Sequence, residues 1–345
     1  MAKVSRTASR VAWSASRQSA FGTPLAAGRL DRFLRLKDPL ILKPSLEHWS
    51  DRGNVGAGHD WETQRGLLRQ HVEFELPEQP LPVGFVAFLL ALFFSGENAT
   101  TNSSGVYEHK SAFPSLQSVS EAAVTSLALH EDGQDWLLQD VACVKLSLKG
   151  DGSERLNAGG SFVASRLLGP LSGFAWPATA AQRYLYNYAG AFSLAGTDRH
   201  PQLRSFSLSL ENGLKTDQAW RGVASETERI YPSLWPLTAE RKMGLSLSLS
   251  AEAGDLVAFR SAYQSGSASA INLSVLGETI SGSNPADSDE LALSVPHAVF
   301  TGLEYNYSDG VMGLELSVEG AYDDSCGGPL RVTVTEGSTA RFMDA

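Results

Sequence analysis

The residues in this chain that could do chemistry are few and far apart. Seven histidines are scattered along it, and only His48 and His59 are near neighbours, in a stretch that reads as loop. Asp323 and Asp324, beside Ser325, Cys326 and Gly327, offer oxygen ligands for Ca²⁺, yet lack the ligand spacing of a known calcium loop. Gly56-Ala57-Gly58 lacks the third glycine and the preceding strand of a dinucleotide-binding turn. There is no G-x-S-x-G elbow, no H-E-x-x-H, no C-x-x-C and no G-x-x-x-x-G-K. Cys143 and Cys326, two thiols far apart, make no disulfide framework and read as small hydrophobes. Catalytic triads are spatial, so missing motifs lower the odds of an enzyme without deciding the matter. The residues nominate no catalytic, cofactor or metal site.

A chain of 345 residues with 43% hydrophobic and 19% charged content can fill a sizeable core. The net charge of −10 is unevenly spread. Residues 1–43 hold nine Lys/Arg against Asp31 and Asp38, which leaves −17 on the remaining 302 residues. A basic segment on an acidic body asks for a partner. An acidic body repels DNA phosphates and does not bind them tightly. The strongest apolar run, Val83–Phe94, is well short of the ~20 residues a spanning helix needs and reads as a buried core helix. No apolar signal region is evident in residues 1–20.

Alternation dominates the rest. Val72, Phe74 and Leu76 alternate with His71, Glu73 and Glu75, which predicts a half-buried strand running into the helix at 83–94. Further strands are predicted at 124–130, 136–149 and 156–165. Residues 97–115 read as polar loop, and 167–200 as a connection with at most one strand. The pattern then returns in Phe206, Leu208 and Leu210 and in Leu245, Leu247 and Leu249, each set alternating with serines. An amphipathic helix follows at about 253–264, then strands at 270–276, 289–295, 299–307, 311–319 and 330–335. Residues 1–60 carry little periodicity and read as an extended arm and loop.

The order of elements recurs. "VAFLLALFFSG" at 86–96 answers "VAFRSAYQSG" at 257–266. "DVACVKLSLKGDGSERLNAGGSFVAS" at 140–165 answers "VPHAVFTGLEYNYSDGVMGLELSVEG" at 295–320, each turning at a D-G. This predicts a basic N-terminal arm over 1–60 and two duplicated β domains over 61–195 and 196–345. The alternative is one larger β-rich domain with several hairpins.

From about residue 60 to 335 the chain resembles the tail tube proteins, or major tail proteins, of long-tailed bacteriophages. The resemblance rests on four segments in order: "HVEFELPEQPLPVGFVAFLLALFFSG", "AVTSLALHEDGQDWLLQDVACVKLSLKGDGSERLNAGGSFVAS", "SFSLSLENGLKTDQAWRG" continuing to "RKMGLSLSLSAEAGDLVAF", and "LALSVPHAVFTGLEYNYSDGVMGLELSVEGAYD". The resemblance implies a mainly β fold with flanking helices, a β-sandwich or barrel-like tail tube subunit. It implies a structural virion protein of the phage tail, made in the host cytoplasm, that has no enzymatic activity. Its rings stack into a hollow tube through which double-stranded DNA is ejected. Tape measure, tail-end and baseplate proteins are the implied partners, with no membrane. A duplicated subunit would make the ring as a homotrimer with pseudo-sixfold symmetry; a single-copy subunit would make a homohexamer.

On that reading, Glu73, Glu75, Ser246, Ser248, Glu315 and Glu319 are the expected lumen residues, on a face too acidic for phosphates to stick. Arg6, Arg10 and Arg17 are expected on an arm that reaches an adjoining ring or subunit. Two rivals stand beside it: another β-rich virion component, and a carbohydrate-binding β-sandwich or glycan-active enzyme. The second would need Trp platforms, drawn from Trp13, Trp49, Trp61, Trp136, Trp176, Trp220 and Trp235, together with paired carboxylates.

Overall fold

The computed structural model describes residues 6–54, 60–102, 106–113, 121–131, 133–152, 154–220, 230–238, 241–250, 253–280, 287–308, 311–323, 328–337 and 342–343. In chain order the first half holds β1 (Arg6–Trp13), β2 (Arg32–Asn54), β3 (Asp60–Pro80), α1 (Val83–Phe94), β4 (Asn98–Asn102), β5 (Val106–Ala112), β6 (Thr125–Glu131), β7 (Gln134–Asp151), β8 (Asn157–Ala164) and β9 (Arg166–Leu168). The second half holds β10 (Leu185–Leu194), β11 (Thr197–Asp198), β12 (Leu203–Glu211), β13 (Lys242–Ser250), α2 (Ala253–Ser265), β14 (Ser269–Thr279), β15 (Ser288–Ser308), β16 (Val311–Gly320) and β17 (Arg331–Glu336). The fold is mainly β with two helices, and every strand pair is antiparallel.

Eight strands form one unbroken run in the order β2–β3–β8–β7–β12–β13–β16–β15. Strict alternation gives this run two unlike faces. Phe74, Phe162, Leu146, Leu148, Leu208, Leu247 and Leu316 point to the buried side. The intervening Glu, Lys and Ser point the other way. Three strands are long enough to leave the run and pair elsewhere. The first part of β2 pairs with β1, the first part of β7 with β6 and β9, and the first part of β15 with β14 and β17.

The apolar face closes on α1. Eleven of its twelve residues are buried, Gly84 being the half-buried one. Such a helix, apolar all round, belongs inside a core and not on a surface. Pro82 enters it in an extended conformation. Ser95 ends it at left-handed φ 63°, with the Gly96 N–H donating to the Ala91 carbonyl at 2.9 Å. Val11, Leu36, Phe74, Phe88, Leu127 and Phe162 converge here, so β1, β2, β3, β6, β8 and α1 share one interior. The same hydrophobic cluster continues through Phe206, Leu247, Phe300 and Leu316 in the second half.

Connectivity recurs in the two halves. β1, β2, β3, α1, β6, β7 and β8 correspond in order to β10, β12, β13, α2, β14, β15 and β16. The pairings β1–β6, β6–β7, β7–β8, β8–β3 and β3–β2 correspond to β10–β14, β14–β15, β15–β16, β16–β13 and β13–β12. Even an irregularity repeats. The β7–β8 ladder slips between Cys143 and Lys145, and the β15–β16 ladder slips between Phe300 and Gly302. One extra residue at the same place in both long strands is a defined feature that bends them where they change partners.

Several expectations are corrected. The described residues 6–54 are not an arm: β1 and β2 are strands, and Ala8, Val11, Trp13, Leu34 and Leu42 are core residues. Their irregular pattern arises because β1 lies between β2 and β6 and buries a run from Val11 to Ser14. Residues 97–115 hold β4 and β5 where polar loop was expected. The strands expected at 289–295 and 299–307 are one strand, β15. β10 lies before residue 195 yet pairs with β14, so the pairing crosses the boundary expected there. The halves are also joined by β7–β12 and by β5–β17.

Candidate functional site: an open polar sheet face between two free edges

Residues directly opposite in an antiparallel ladder share a face. Glu75 faces Ser161, Ser161 faces Lys145, Lys145 faces Glu211, Glu211 faces Lys242, and so on across the run. By this rule all six expected lumen residues lie on one face: Glu73 and Glu75 on β3, Ser246 and Ser248 on β13, Glu315 and Glu319 on β16. The intervening rows are Lys145, Ser147 and Lys149 on β7 and Ser205, Ser207 and Ser209 on β12. The face is therefore not simply acidic.

Its charges are arranged by half. In the first half most are paired: Lys43 Nζ donates to Glu75 at 2.7 Å, and His71 lies 3.2 Å from Glu73. Lys145 bridges the two halves, donating to Glu211 of β12 at 2.9 Å and holding that carboxyl below the usual range. In the second half the acids crowd. Glu304 of β15 stands directly opposite Glu315 of β16, both exposed, and Glu315 accepts a hydrogen bond from Asn306 at 3.2 Å. Like charges at directly opposed positions destabilise a ladder.

One end of the face is covered. Residues 212–220 and 230–238 fold back over it, seating Trp235 against Ala142 and Val163 and Trp220 against His71. Trp235 Nε1 donates to the Asp140 carbonyl at 2.6 Å. The Asp140 carboxylate in turn accepts from Gln18, Gly22 and Ser165 and pins the point where β7 changes partners. Burial pushes the Asp140 carboxyl up, against those three donors. Sequence reasoning missed this node, because Asp140 is more than 20 residues from each of its partners and all are of unremarkable type.

The two ends of the run are open. Among the described residues, β2 beyond Leu42 has β3 on one side and no strand on the other; β15 beyond Val299 has only β16. Exposed apolar side chains gather at these edges: Leu46 on β2 (54% exposed), and Tyr305 and Tyr307 on β15 (53% and 75%). Unpaired edges of this length invite a further strand.

The expected arm residues fall elsewhere. Arg6 and Arg10 lie on β1, and Arg17 is exposed on the segment after it. Arg10 joins Arg35 and Lys37 in an open basic cleft of about 680 Å³ floored by Phe33 and Trp176. Of the rival reading's platforms, Trp13 and Trp235 are buried in cores and cannot stack on a sugar. The side chains of His48, Trp49 and Trp61, the Gly56-Ala57-Gly58 triplet with His59, and Asp324 to Gly327 lie outside the described residues. Asp323 sits 2.8 Å from His297. Among the described residues, no cluster of three or more His, Cys, Asp or Glu is placed to hold a metal ion. Cys143 is fully buried, which pushes its thiol up and away from reactivity.

A second buried polar group lies on β5. His109 of β5 lies between Glu97 at 2.9 Å and Glu336 at 3.4 Å, all three side chains out of water. Burial lowers the pKa of His109, but the hydrogen bonds and charges of Glu336 and Glu97 outweigh it and raise it to about 9. A pKa raised above its unfolded value of 6.5 contributes stability that is complete below pH 6.5 and is lost as pH rises through 9. Urea unfolding is expected to show a stability fall on the order of 3 kcal/mol from pH 6.5 to beyond 9. The His109→Gln variant should lack that step; an identical fall in the variant would assign it to other groups.

Neither a protein-family model nor a curated protein sequence matches the chain.

Proposed function

We propose that the chain is a tail tube protein of a long-tailed bacteriophage, a structural virion component whose copies close into rings and stack as the conduit for DNA. One observation carries this reading. Eight antiparallel strands, built as two equivalent sets of four, present one polar face and leave an unpaired edge at each end. A sheet of this kind completes its hydrogen bonding when identical sheets join edge to edge around an axis. The contact is heterologous, and repeating it closes a ring when the rotation per copy divides the full turn.

The dimensions agree. Three copies contribute 24 strands to a closed barrel. At about 4.8 Å between strands and a tilt near 36°, the barrel is about 45 Å across between strand axes, wide enough to pass duplex DNA. Two four-strand sets per chain make such a ring pseudo-sixfold. The corresponding order of pairings and the repeated bulge support a duplicated tube-type domain. The mixed face, with its surplus of carboxylates, suits a bore past which phosphates slide without being held. The basic cleft of Arg10, Arg35 and Lys37 suits an acidic surface of an adjoining ring. Deleting residues 1–30 does not test that contact, because it removes β1 and Trp13 from the core.

Light scattering of the purified chain across a concentration series tests the assembly. Species of three chains and their multiples are expected. A chain that stays monomeric at millimolar concentration and beside preformed tail ends would contradict the proposal.

A further inference from the structure

The run contains its own template for the contact between copies. Follow one row of directly opposed residues across the first four strands: Ile41, Glu75, Ser161, Lys145. The corresponding row of the second four is Ser207, Ser246, Ser317, Gly302. Within the chain the first set joins the second through β7 and β12, and there Lys145 faces Glu211, not Ser207. The junction is therefore staggered by four residues over four strands. A stagger of one residue per strand is that of barrels whose strands tilt at about 36°.

The two free edges are the same strand types as that junction: β15 corresponds to β7, and β2 to β12. Applying the same stagger to the part of β2 beyond Leu42, which β1 leaves free, Gly302 of one copy meets the residue four beyond Ile41 of the next, which is Ser45. Antiparallel pairing then places Glu304 opposite Lys43. We infer that copies of this chain join β15 to β2 in this one register, with Glu304 of one copy paired to Lys43 of the next. The inference rests on the ring reading above and adds the contact that fixes it.

Independent features of the two edges agree with it. Glu304 faces Glu315 within its own chain, a repulsion that a cation from a neighbour relieves. Lys43 already holds Glu75 at 2.7 Å and is exposed enough to reach a second carboxylate. The internal junction carries a Lys–Glu pair of the same kind, Lys145 with Glu211, one row away. Pro44 has no N–H to give, so this edge offers fewer backbone donors than an ordinary strand. That leaves the charged pair to select the register and to discourage pairing with unrelated edges. Leu46 on the β2 edge loses its exposure to water in the same step, whereas Tyr305 falls opposite Leu42, which β1 already covers, so β15 parts from β2 beyond Glu304.

Cysteine trapping tests the register. The Lys43→Cys/Glu304→Cys chain, oxidised mildly after assembly and run without reductant, is expected to give covalent dimers and trimers, since directly opposed positions lie within disulfide reach. Lys43→Cys/Gly302→Cys and Lys43→Cys/Asn306→Cys place the thiols diagonally and should link at least tenfold less. A second pair of variants guards against a change in folding: Lys43→Glu or Glu304→Lys alone should raise the concentration needed for assembly at least tenfold, and the two together should restore it. Rings that link preferentially through a diagonal pair would overturn this register and leave the ring reading standing. A chain that forms no oligomer even without substitution would remove the ring reading, and this contact with it.

Discussion

Aspartate in place of Leu247 is expected to unfold the chain, whereas aspartate in place of Ser246, its immediate neighbour on β13, leaves folding intact. Leu247 is 1% exposed and stands between Phe206 and Leu316 on the buried side of the run. A carboxylate there has no cation and no donor to satisfy it. The cost of an unpaired buried charge is several kcal/mol, a large share of the ~5–15 kcal/mol that holds a folded domain together. Ser246 is exposed, faces Ser207 and Ser317, and points into water in the free chain. Circular dichroism and urea unfolding of the two variants separate them. Equal loss in both would mean that the polar face is covered by something other than solvent.

Alanine in place of Phe88 is expected to cost about 3–5 kcal/mol, the range for emptying a large aromatic from a core that cannot collapse. Phe88 is 0% exposed at the centre of α1, 4.7 Å from the ring of Trp13 and 5.5 Å from that of Phe85. The same helix packs against β7, which links the two halves, so the loss is expected in one cooperative transition and not in the first half alone. Calorimetry that shows two transitions, with only one shifted, would divide the molecule where the core is continuous.

Much of this was legible because alternation and apolar runs are local signals. Val72-Phe74-Leu76 and Leu245-Leu247-Leu249 predict half-buried strands, and Val83–Phe94 predicts a buried helix with matching ends. The six positions expected to line a lumen share a face because each sits at an odd step from a buried neighbour on its own strand. What stayed hidden depends on long-range pairing. β1 could not be recognised, since its burial comes from β2 and β6 on either side and from Trp13 packing on α1. The Gln18–Asp140–Ser165 node and the His109 group between Glu97 and Glu336 join residues up to 227 apart. The two halves of β15 were read as separate strands because the bulge at Phe300 to Gly302 interrupts the period of two. The charge character of the face was also misjudged: acids are visible in sequence, but their partners Lys43 and Lys145 belong to other strands.

Electron microscopy of the assembled chain tests the central claim most directly. A hollow particle is predicted, with six lobes from three chains and a continuous barrel whose inner surface carries Glu73, Glu75, Ser246, Ser248, Glu315 and Glu319. A particle with no axial pore, or one in which those residues pack against protein and the helices line the centre, would contradict the account.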